Sequence, residues 1–198
     1  MRITLFLLLI LLSNCTIRGL NDGYKRLSVN DKHVIKPYTE NATSDSGNFI
    51  LHEVIANDIK SSLSGNAMAY VIIWNPWCKG TSCRPLGYYC RLFDSLNKQG
   101  VATFLVSDQY EYSIIKKQYA QANCPDKIMV MKHDRYGHQN RGRQVRMFVN
   151  ELASTNNLPD SIVYAPSFLI RKDSMLYHFK TPEDAQRIHA ILAEMKTK

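Results

Sequence analysis

Eight consecutive apolar residues, Ala67-Met68-Ala69-Tyr70-Val71-Ile72-Ile73-Trp74, run without a polar break into Asn75-Pro76-Trp77-Cys78. A strand that is apolar at every position has no face to offer water, so it belongs in the middle of a sheet covered on both sides. The chain must therefore supply layers above and below it. The same pattern sets Cys78 at the point where a buried strand ends.

A cysteine between a buried strand and a following helix has its sulfur near unpaired backbone N–H groups and the positive helix end, which favour thiolate over thiol. Trp77 adds an apolar shelf beside it and Lys79 a positive charge. Cys83 follows five residues on, and Pro85 is tolerated only in a first helical turn, so a helix is predicted to start between Ser82 and Pro85. Residues five apart in one regular helix point about 140° apart, so Cys78 and Cys83 cannot share it. Gly80 lets the intervening residues bulge and bring Cys83 back toward Cys78. Spacing alone leaves open whether the two are bonded or stand as separate thiols.

The rest of the chain supplies the layers. Residues 48–63 carry apolar positions at helical spacing and are predicted to be a helix ending at Gly65-Asn66. After Cys83, a helix is expected through Asn97, a strand at 101–106, a helix at 109–121, a strand at 127–131 and a helix at 144–153. A turn at 156–159, strands at 167–170 and 175–179, and a terminal helix from Thr181-Pro182 to Met195 complete the order. Alternating strands and helices closed by a hairpin and a helix make an α/β fold, a mixed sheet with helices on both faces.

This order, with Trp74-Asn75-Pro76-Trp77-Cys78, Cys83 and the downstream Tyr164-Ala165-Pro166-Ser167-Phe168-Leu169-Ile170, resembles the thioredoxin-like superfamily over residues 48–198. It is most similar to the exported, membrane-attached thiol–disulfide oxidoreductases of bacteria. The resemblance implies a thioredoxin-like mixed sheet, with Cys78 as the attacking cysteine, Cys83 as the resolving one and Pro166, in cis, facing the pair. Trp77, Ala165 and Pro166 would then hold an extended substrate, and no cofactor would be required. Two departures stand out. Four residues separate the cysteines where the family has two, and Ile72 occupies the strand position where thioredoxins often bury a carboxylate that moves protons. Two rival expectations use the same residues: a non-catalytic binding module with a structural Cys78–Cys83 disulfide, and a copper or other metal chaperone.

The N-terminus gives the expected location. Arg2, an apolar run from Leu5 to Leu12 and Ser13-Asn14-Cys15 have the build of an export signal, and the run is too short to span a bilayer. Leu12-Ser13-Asn14-Cys15 resembles a bacterial lipobox, with Asn14 in place of a small residue and Cys15 as the lipidated residue. Residues 1–14 are thus expected to be a lipoprotein signal, 15–47 a polar tether with a short strand at 33–38, and 48–198 the domain. A lipid anchor would hold that domain outside the cytoplasm, facing periplasm or cell exterior. Its expected partners are protein thiols or disulfides and a protein that recycles the pair.

The formal charge of +8 is scattered rather than gathered into a stripe, and no nucleic-acid motif accompanies it, so no nucleic-acid partner is expected. Lys132-His133-Asp134-Arg135 and Tyr136-Gly137-His138-Gln139-Asn140 read as solvated turns. His133 and His138, five apart, are the residues a metal site would recruit, but no metal is expected. Cys90, spaced with Leu86 and Phe93, reads as a buried small hydrophobe, and Cys124 as a free or structural thiol.

Overall fold

The computed structural model describes residues 22–39, 49–63, 67–78, 84–122, 128–155, 167–172, 174–179 and 187–196. Among these, seven strands form one sheet in the order β1-β2-β5-β4-β3-β6-β7. They are β1 (Ile35–Pro37), β2 (Leu51–Val54), β3 (Met68–Trp74), β4 (Val101–Ser107), β5 (Ile128–Met131), β6 (Ser167–Arg171) and β7 (Ser174–Phe179). The helices are α1 (Val29–His33), α2 (Ala56–Ser61), α3 (Leu86–Asn97), α4 (Tyr112–Ala122), α5 (His133–Tyr136), α6 (Arg141–Leu152) and α7 (Ile188–Lys196). The sheet is mixed: β1, β2, β5, β4 and β3 run parallel, whereas β6 and β7 are antiparallel to their neighbours.

The all-apolar strand is central, as its composition requires. Along β3, Tyr70, Ile72 and Trp74 pack with Leu86, Tyr89, Phe93 and Leu96 of α3, Ile115 of α4 and Ile188 and Leu192 of α7. The alternate residues Ala69 and Val71 pack on the other face with Ile59 of α2 and Val145, Phe148, Val149 and Leu152 of α6. Two apolar layers on one strand are the strand period of two made visible. The α/β class, a mixed sheet flanked by helices on both faces, is as expected from the sequence. Ile72 is only 1% exposed, so no carboxylate occupies that point of the core.

Three expectations are corrected. Within the stretch expected to be one helix, 48–63, residues 51–54 are a strand and 56–61 a short helix. Leu51 and Val54 are buried in β2, which is paired on both edges, and a strand apolar on both faces mimics helical spacing over four residues. The segment assigned to the tether carries β1 inside the strand expected at 33–38, paired parallel with β2 through Ile35 opposite Leu51, but also α1, which was not expected. Ser28 caps α1 by accepting from the Asp31 amide, a local signal that apolar periodicity does not register. Finally, Pro85 caps α3 with extended backbone (φ −64°, ψ 153°), and the helix starts at Leu86. Because proline disfavours the helical region for the residue before it, the first helical residue is pushed downstream.

One buried bond ties the central strands together. The Tyr70 hydroxyl donates to Ser167 Oγ across β3 and β6 at 2.8 Å, and burial raises the Tyr70 pKa well above its ordinary value. Tyr70→Phe should lower stability by about 1 kcal/mol, read from the denaturant midpoint at unchanged slope. An unchanged midpoint would show that the bond contributes nothing net.

Candidate redox site

Asn75 builds the turn that carries Cys78. Its side-chain oxygen accepts from the Trp77 amide at 2.8 Å and its carbonyl accepts from the Cys78 amide at 3.1 Å. Asparagine followed by proline suits such a turn, since the amide side chain mimics a backbone acceptor and proline presets the next φ. Gln118 of α4 closes the turn from outside, donating from Nε2 to the Pro76 carbonyl at 3.0 Å. Pro76 is buried, Trp77 is half-buried as a shelf should be, and Cys78 is exposed. Cys78 is disulfide-bonded.

Cys83, Ala165, Pro166, Cys15 and Cys124 lie outside the described residues, as does the peptide between Ala165 and Pro166. The strand that follows Pro166 is placed, however. Ser167 at the start of β6 pairs with Ile72 of β3, near the end from which the Cys78 turn leaves. The antiparallel register thus brings the beginning of β6 to the cysteine end of the sheet.

A carboxylate that sequence reading missed lies at the same end. Asp108 directly follows β4, and its amide donates to the carbonyl of Trp74, the last residue of β3, at 3.2 Å. Its side chain is fully buried. Arg141 Nε, at the start of α6, donates to Asp108 Oδ2, while Oδ1 has no partner among the described residues. Burial raises the Asp108 pKa, with the Arg141 charge opposing the shift. The signal was a lone acid at the end of the apolar run Val101–Val106, which reads equally well as an ordinary turn residue. With Ile72 in the core, Asp108 is the buried acid among the described residues closest in backbone connection to the Cys78 turn.

Two further placements correct the sequence reading. Cys90 is disulfide-bonded and half-buried, not a free packing cysteine. His133 and Tyr136 are buried rather than solvated. His133 Nδ1 lies 2.6 Å from Asp22 Oδ2, Tyr24 stacks on the His133 ring at 4.3 Å, and the Tyr110 amide donates to the Asp22 carbonyl at 2.6 Å. Together these dock the segment that enters the domain. His138 sits with its ring 5.1 Å from that of His133. Among the described residues, no three His, Cys, Asp or Glu side chains gather as a metal-ligand group.

No helix of the described residues is long and apolar enough to cross a membrane. No protein-family model and no curated protein matches the chain. Solved structures similar to it include two from one organism. One is the thioredoxin domain of a thiol-disulfide oxidoreductase from Bacteroides vulgatus, with a TM-score of 0.43 and 14% identity over 69% of this chain and 82% of that one. The other is a solution structure from the same organism, named for the same activity, with a TM-score of 0.37 and 14% identity over 78% of this chain and 92% of that one.

Proposed function

We propose that this chain is an extracytoplasmic, lipid-anchored thiol–disulfide oxidoreductase that exchanges disulfides through Cys78 and Cys83. The observation that carries the reading is an exposed, disulfide-bonded Cys78 on a turn fixed at the end of the central strand. A purely structural bond gains from being shielded, whereas an exchanging sulfur must be reached in line by a second thiolate.

From the oxidised state, a substrate thiolate attacks Cys78 Sγ. The Cys78–Cys83 bond breaks, a substrate–Cys78 mixed disulfide forms, and Cys83 leaves as thiolate. A second substrate thiolate then attacks the substrate sulfur and releases Cys78 thiolate. The substrate is oxidised to a disulfide, and its two electrons remain on the cysteine pair until a recycling protein removes them. Leaving-group thiolates accept protons, and Asp108 or water supplies the route that Ile72 cannot.

Cys83→Ser should capture partner proteins as mixed disulfides through Cys78, and Cys78→Ser should capture few or none, read on non-reducing gels of intact cells. Capture by neither variant, with both folded, would assign the bond a structural role. For the anchor, Cys15→Ser should move the protein out of the membrane fraction and abolish lipid labelling. Unchanged labelling would sink that part of the proposal.

A further inference from the structure

The five parallel strands all finish at the end of the sheet that carries the Cys78 turn, and in open α/β sheets ligands bind outside the carboxyl ends of the strands. A cavity of about 150 Å³ opens there beyond β1, β2 and β5, lined by Pro37, Tyr38, Glu53, Ile55, Asp58 and Lys132. β2 is three places from β3 in the strand order, so the cavity and the Cys78 turn are about 14 Å apart across the sheet. Backbone bonds fix its shape. The Tyr38 amide donates to the Glu53 carbonyl at 2.8 Å and the Lys132 amide to the Val54 carbonyl at 3.0 Å, which holds the chains leaving β1 and β5 on either side of β2. Pro37, Tyr38 and Ile55 give the cavity apolar wall. Glu53 Oε1 accepts from the Tyr110 hydroxyl and Asp58 Oδ2 accepts from the Ile55 amide at 2.9 Å, so neutral donors orient both carboxylates. Such donors cancel no charge, and the second oxygen of each carboxylate has no partner among the described residues. Nor does an ion pair join Lys132 to either of them.

The lining thus brings two negative charges and one positive charge to one small space without pairing them. An amine would leave Lys132 unmatched, and an acid would meet two carboxylates. A molecule with both an ammonium and a carboxylate matches all three. Volume sets the size, since a cavity of 150 Å³ holds a molecule like benzene, about six to eight non-hydrogen atoms. We infer that this cavity binds a small free α-amino acid, its ammonium toward Glu53 and Asp58, its carboxylate toward Lys132 and a short aliphatic side chain against Pro37, Tyr38 and Ile55. A polypeptide terminus offers only one of the two charges, and a residue within a chain offers neither. The binding has no covalent step and does not depend on the exchange chemistry proposed for Cys78.

Titration of the isotope-labelled, oxidised full chain, followed by NMR, tests the assignment with three probes. These are L-alanine, its methyl ester, which keeps the ammonium and loses the carboxylate, and N-acetyl-L-alanine, which does the reverse. L-Alanine should move the amide signals of Tyr38, Ile55, Asp58 and Lys132 along saturating curves with a Kd of about 1 mM, a weak affinity suited to about six non-hydrogen atoms. The ester and the N-acetyl compound should each bind at least about tenfold more weakly, having lost one charge-assisted contact. Equal binding of the ester would give the cavity to a polypeptide N-terminus, and equal binding of the N-acetyl compound to a C-terminus; either overturns the proposal, as does the lack of any saturating shift in the millimolar range. Two variants check the roles. Lys132→Met should weaken L-alanine about tenfold and leave the ester unchanged, whereas Glu53→Gln, which keeps an acceptor for Tyr110, should weaken both about tenfold. If either variant binds L-alanine as tightly as the unaltered chain, the proposal is overturned.

Discussion

Gly137→Ala is expected to cost about 3 kcal/mol and to release the docked segment at residues 22–26. Gly137 follows α5 with an ordinary φ of −72°, so the requirement is for space and not for an unusual backbone. A Cβ there would fall 2.1 Å from both Asp22 Oδ2 and His133 Nδ1, inside the pair it would have to displace. Neither partner can swing aside cheaply. The two side chains are 2% and 8% exposed, and His133 is covered by the Tyr24 ring. The added methyl therefore breaks the Asp22–His133 contact and leaves buried polar atoms unmatched. The check is a denaturant titration joined to limited trypsin digestion at Lys25 and Arg26, where cleavage should become fast. In an Asp22→Ala background the same substitution should cost much less, because the atom it strikes is gone; full additivity would show that Gly137 acts elsewhere.

The second large effect concerns the buried acid beside the site. Arg141→Leu should destabilise the protein by about 3 kcal/mol at neutral pH, because Asp108 then keeps a buried charge with no compensating partner. The lower end of the range for broken buried pairs applies, since Arg141 is 38% exposed and part of its interaction is screened by water. The dependence on pH has a definite sign. Burial favours the protonated form of Asp108, so the folded chain binds that proton more tightly than the unfolded chain. The stability this contributes is present below the ordinary carboxylate range and lost as pH rises through the raised value. Removing Arg141 lifts that value further, so the loss should shrink as the solution is acidified and grow toward neutrality. Equal destabilisation at every pH would show that Arg141 acts through packing alone.

The central layer of this fold was legible because β3 leaves only one place to go. An eight-residue apolar run must be covered twice, and α3, α4 and α7 on one side and α2 and α6 on the other do so. Local turn chemistry was also readable, as Asn75-Pro76 shows. Periodicity failed where a short strand was buried on both faces, at Leu51–Val54, and at 22–33, a stretch too short for a period to show and fixed by a local cap at Ser28 and by the Asp22–His133 contact as well as by Tyr24 and Leu27. Asp22, His133 and Asp108 were invisible for a common reason. Each is a polar residue at or just beyond the end of an element, and only partners remote in sequence, 111 residues apart for His133 and Asp22, turn it into a buried one. Cys90 misled because a half-buried sulfur on a helix face has the same sequence signature whether it packs as a thiol or is bonded.

The reduction potential of the Cys78 disulfide tests the proposed chemistry most directly. The purified chain is equilibrated in a graded series of dithiol–disulfide buffers, thiols are trapped by alkylation, and Cys78 is read on its own proteolytic peptide. The account predicts that Cys78 is reduced at a potential above about −300 mV, in the range of exchanging pairs and separately from Cys90. Reduction only below that potential, together with Cys90 or later, would contradict it and make the Cys78 bond structural.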